Sequence, residues 1–175
     1  MNLTIELSER GVRDGVVLIA AYHFLLAVAS FLSLTAIFVY SIFPVLSGNS
    51  TNGIQSLYLP ILGVVITLFL AIAYFVTGIG LIRVKNAARM AGIFLALFGI
   101  IGGMFAVLGG VIGSLNAIPN DWLTVGIIGL ALICIYSILV FLDIITLVFL
   151  LNAQVRSVFY GEEWYAQALE VMEEG

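Results

Sequence analysis

Four long apolar runs, with every Lys and Arg confined to the segments at one end of them, narrow what this chain can fold into more than any other feature. The runs cover about 16–43, 59–82, 90–115 and 123–151. Each exceeds the roughly 20 helical residues that cross a hydrocarbon layer about 30 Å thick. Arg10 and Arg13 precede the first run; Arg83, Lys85 and Arg89 join the second to the third; Arg156 follows the fourth. The other two links hold no basic residue. Loops on the cytoplasmic side keep Lys and Arg. The expected fold is therefore an all-α, four-helix transmembrane bundle in the cell membrane, with both termini cytoplasmic.

Composition weighs against a soluble protein. Hydrophobic residues make up 63% of the 175 and charged ones 9%, against about 25% charged in globular domains. A water-soluble core cannot absorb that much apolar surface, but a bilayer can. A cytoplasmic arm (1–15) and a cytoplasmic, acidic tail (152–175) flank one transmembrane domain (16–151). No clustered basic face is present for nucleic acid. Cys134, the single cysteine, has no partner for an intramolecular disulfide.

Local signals fill in the layout. Arg10 and Arg13 resemble the n-region of a signal peptide. The first run far outlasts an h-region of about 7–15 residues, however, and no Ala-x-Ala site follows, so a retained helix is expected. Pro44 opens an uncharged outer loop, 44–58, and Pro60 falls in the first turn of the second helix, where its missing N–H has no helical partner. The short link 83–89 implies antiparallel second and third helices. Pro119 marks an outer turn at 116–121, and Trp122 follows where interfacial indoles are favoured. The order helix, outer loop, helix, basic segment occurs twice. Ile66–Arg89 and Ile135–Arg156 each end in Asn, Ala and Arg. A duplication would relate the halves as parallel two-helix repeats.

Gly92, Ala96, Gly99, Gly103, Ala106, Gly110 and Gly113 recur at alternating spacings of 4 and 3 along the third helix. Such a seam stays on one face when helices coil left-handedly, and its small side chains let backbones approach closely. It packs either against another helix of the same chain or against a partner. Gly63, Thr67, Ala71 and Gly78 of the second helix offer one complementary face.

His23 and Asp143 are the ionisable side chains well inside apolar runs. An Asp near a helix centre costs roughly 2.5–3.5 kcal/mol on insertion scales, so it should face protein or become protonated. Tyr136 and Val140 share its face, and Ala20, Ala27 and Ser30 share that of His23. Interhelical hydrogen bonding is the plain reading; a proton-responsive pair, or a contact with a partner or ligand, are the alternatives. Haem and other cofactors lack a ligand set, because a second His is missing, so no cofactor is expected.

Asn49-Ser50-Thr51 fits a glycosylation acceptor in the outer loop, although Asn2-Leu3-Thr4 fits equally well on the inner side. In the tail, Trp164, Tyr165, Ala168, Leu169 and Met172 recur at helical spacing among five Glu. The tail is expected as a surface helix or as a docking site for a basic partner.

Gly15–Ala20, Gly80-Leu81-Ile82-Arg83 with Ala88-Arg89, and Val155–Phe159 resemble a class of small prokaryotic membrane proteins with four spans and no assigned function. That class commonly has Trp before the Ala-Arg pair, where Ala87 stands here, and often Pro before Gly15, where Asp14 stands. The resemblance implies a four-helix integral membrane protein and brings no substrate, cofactor or catalytic residue.

These features point to an interaction protein: an accessory subunit, scaffold or assembly factor, whose partners are the lipid bilayer and another membrane protein or a second copy. A small oligomeric transporter or channel, proton-coupled through His23 and Asp143, is the alternative. An enzyme is not expected, since no paired carboxylates, Ser/His/Asp set or metal cluster can be assembled.

Overall fold

The computed structural model describes residues 9–47 and 57–160; for residues 9, 110 and 113–128 it describes the helical backbone alone. The arm 1–8, the loop residues 48–56 with Asn49, and the tail 161–175 lie outside the described residues. Every described element is helical, and no strand occurs among them. Four stretches are long and apolar enough to cross a membrane: Arg10–Leu46, Tyr58–Ile82, Asn86–Gly109 and Gly129–Leu151. The chain has the make-up of a multi-pass, all-helical membrane protein. It divides into two compact units, Met1–Ala88 and Arg89–Gly175.

The first unit begins with α1 (Glu9–Ile37), which runs through a π-helical turn (Phe38–Ile42) into the single turn α2 (Phe43–Leu46). The expected end at Phe43 is overrun. Pro44 lacks an N–H, and its ring would meet the carbonyl four residues back. The wide turn relieves that conflict by moving the bonding out one residue, so Phe43 N–H reaches the Phe38 carbonyl. Ser47 then closes the rod, its N–H donating to the Phe43 carbonyl at 2.9 Å and its hydroxyl to that of Pro44 at 3.2 Å.

α3 (Tyr58–Ile82) packs antiparallel on α1. Ile37 lies against Gly63, Tyr74 against His23, Phe75 against Phe24, and Gly78 against both Phe24 and Ala20. Val12, Val16, Ile19, Ala20, His23 and Ala27 are the buried side of α1; Ala71, Thr77, Gly78 and Leu81 answer from α3. Steps of three and four, through Val12, Val16, Ile19, His23 and Ala27 on α1 and Ala71, Tyr74, Gly78 and Leu81 on α3, are those of a left-handed pair. Gly63 and Gly78, which in sequence could have faced the third helix, find their neighbours on α1.

α3 ends in a Schellman turn. Val84 N–H donates to the Leu81 carbonyl at 2.9 Å and Lys85 N–H to that of Gly80 at 3.0 Å. This geometry needs a left-handed residue, usually Gly, yet Val84 occupies it at φ 52°. α4 (Asn86–Leu151) starts directly afterwards, about four residues earlier than the basic link suggested, so Arg89 belongs to a helix and not to a loop.

In the second unit the helical trace of α4 is unbroken, yet it cannot be straight. Gly99 meets Asp143 and Gly103 meets Val140. Residues that far apart in one straight helix would be separated by about 55–66 Å. The chain therefore reverses between 103 and 140, and two arms, 86–109 and 129–151, pack antiparallel. The expected turn at 116–121 and Trp122 fall where side chains lie outside the description. At Asn152 the helix breaks: its side-chain oxygen accepts the N–H of Gln154 at 2.9 Å, an N-cap that starts α5 (Ala153–Tyr160).

Candidate functional site

His23 is 1% exposed, on the buried side of α1. Its Nδ1 lies 2.9 Å from the carbonyl of Ile19, one turn back on the same helix. A carbonyl can only accept, so Nδ1 carries the hydrogen. The ring meets that of Tyr74 edge-on, centroids 5.8 Å apart, and that of Tyr22 at 6.0 Å. Small neighbours make the room: Ala20, Ala27, Ala71 and Gly78 line the buried face. His23 thus answers its polarity largely within unit one, as a helix-packing side chain. Ser33 and Thr35 likewise donate to carbonyls of their own helix, Ala29 and Phe31, at 2.9 and 3.2 Å. Intrahelical bonds of this kind make hydroxyls tolerable without an aqueous path.

Asp143 belongs to the second unit and is 5% exposed. Its carboxylate stands where a Cβ on Gly99 would be, and the Val140 methyl stands likewise against Gly103. Gly99 and Gly103 are therefore turned toward the returning arm, and along the same face Gly92, Ala96 and Gly103 are buried while Gly99 and Ala106 are half-buried. Gly110 and Gly113 lie outside the described side chains. The facing arm buries Asp143, Thr146 and Leu150, again at steps of three and four. Gly102 and Gly109 differ. They point away from this contact, and a Cβ on either meets nothing within 4 Å among the described residues.

A buried charged group beyond His23 and Asp143 escaped the sequence reading. Arg89, 4% exposed, donates from Nη1 to the carbonyl of Leu150 at 3.1 Å. That carbonyl is among the last of α4, where the chain runs out of helical donors and the helix dipole is negative. Arg89 precedes Gly92 by three residues and so extends the same seam by one step. That spacing was the available signal. Its guanidinium also lies 5.6 Å from the Tyr160 ring centroid, and that of Arg156 lies 5.3 Å from the same centroid.

The structure assigns His23 and Asp143 to different units, while Tyr136 faces largely outward and offers its backbone carbonyl toward Gly103. Among the described residues, no three His, Cys, Asp or Glu gather as metal ligands. Set beside protein-family models, curated proteins and solved structures, the chain matches none of them.

Proposed function

We propose that this protein is an integral membrane interaction protein, an accessory subunit, scaffold or assembly factor, with both termini cytoplasmic. The outward glycines Gly102 and Gly109 carry the reading. Glycine within a helix is unfavourable by about 1 kcal/mol relative to alanine. At Gly99 and Gly103 a neighbour needs the space; at Gly102 and Gly109 none is present among the described residues. They recur seven residues apart on a face otherwise bulky with Phe98, Ile101, Phe105 and Leu108. Such a groove between large side chains accepts the backbone of another helix, from a partner or a second copy. The expected parallel two-helix repeat is part of the same proposal, supported by the match of Ile66–Arg89 to Ile135–Arg156.

Mild-detergent purification tests the reading. The wild-type chain should carry a stoichiometric partner or a second copy, and Gly102→Leu with Gly109→Leu should release it while the monomer stays folded. Retention of the complex in that variant would remove the argument.

The alternative, a small oligomeric, proton-coupled transporter using His23 and Asp143, rests on the placement of a carboxylate inside the second unit. Liposome flux abolished by Asp143→Asn would favour it over the scaffold reading.

A further inference from the structure

Arg89 and Arg156 converge on one aromatic ring at the end of the fourth span. Asn152 caps α5 and fixes its start; Val155 and Phe159 are buried along one side of it. Arg156 and Tyr160, one turn apart, form the adjacent face. Arg89 approaches the same ring from the start of α4, held by the Leu150 carbonyl. The two guanidinium carbons are thus no more than about 11 Å apart, by their distances to the common centroid. Each is attracted to the ring and repelled by the other. A single ring engages at most part of the five N–H groups of the Arg156 guanidinium, and the rest still suit an acceptor. Arg156 is exposed, so its donors reach a ligand from outside. Leu151 ends the apolar span, which sets this cluster at the depth of lipid headgroups.

The geometry points to a binding site for a phosphate group at the membrane surface, in which Arg156 contacts the anion, Arg89 supplies a second fixed positive charge, and Tyr160 holds the two together. Planar, forked donors suit phosphate oxygens. An anionic phospholipid and free phosphate share that chemistry. Glu162 and Glu163 follow Tyr160 closely in sequence and would compete for the same donors. The site does not depend on whether a protein partner exists.

The full-length protein in mild detergent, titrated with phosphatidylglycerol or phosphatidylcholine and read by native mass spectrometry, tests it. Phosphatidylglycerol should bind about tenfold more tightly, and Arg156→Gln should erase that preference. Arg13→Gln, which removes an exposed charge on α1, should preserve it, and Glu162→Gln with Glu163→Gln should bind at least as tightly as wild type. Displacement by millimolar inorganic phosphate would uphold the site and name free phosphate as a ligand; resistance would uphold it and name the lipid. Equal affinity for the two lipids, equal losses in Arg156→Gln and Arg13→Gln, or lost binding in the double Glu variant would overturn it.

Discussion

Asp143 places its carboxylate in the space that a Cβ on Gly99 would occupy. The glycine and the acid are therefore one feature, and the relationship is steric before it is electrostatic. Gly99→Ala should destabilise the protein by about 1–3 kcal/mol, the usual range for overpacking. Asp143→Asn keeps the volume and should leave that penalty in place, whereas Asp143→Ala should largely remove it. Unfolding in detergent of the single and double variants measures the coupling. An equal penalty in all three backgrounds would refute the contact.

Gly102 and Gly103 are neighbours in sequence with opposite surroundings. Gly103→Ile meets the Val140 side chain and should disrupt folding of the second unit. Gly102→Leu enters open space and should shift monomer stability by no more than about 0.5 kcal/mol. Thermal unfolding of the two variants decides; a damaged Gly102→Leu monomer would show that something covers that face within the chain.

Val84 holds a left-handed conformation that strains a β-branched residue. Val84→Gly should raise stability by about 0.5–1 kcal/mol, the relieved strain outweighing glycine's extra freedom in the unfolded chain. Val84→Pro should lower it, because the N–H given to Leu81 is lost and proline cannot adopt that φ. Denaturation midpoints of the pair should therefore move in opposite directions.

Two caps finish the second unit. Asn152→Ala should cost about 1 kcal/mol and speed hydrogen exchange at the Gln154 amide, while Asn152→Asp should preserve protection. Arg89→Met removes the donor to the Leu150 carbonyl and should destabilise by about 1–3 kcal/mol. Unchanged exchange at Gln154 in the alanine variant would mean the cap bond contributes nothing.

Much of the helical layout was legible because apolar length and steps of three and four act locally. Pro60 in the first turn of α3, the break after Leu151 and the face shared by Gly92, Ala96 and Gly103 all follow from short-range rules. Pro44 was misread because its usual effect, ending a helix, is also local; a wide turn just before it let the helix continue. In sequence Arg89 reads as part of the link because it closes the basic run between two apolar stretches. Its compensating carbonyl is 61 residues away in sequence, beyond what a local pattern can register. His23 was expected to look across to another helix for its hydrogen bond, and its Nδ1 found Ile19 on its own.

The account depends above all on which surface the basic links occupy. In a Cys134→Ala background, Lys85→Cys and Asn49→Cys would each be exposed, in intact cells, to a thiol reagent that cannot cross membranes. The account predicts labelling at position 49 and none at 85 until the cells are opened. Labelling of 85 from outside, with 49 protected, would contradict it.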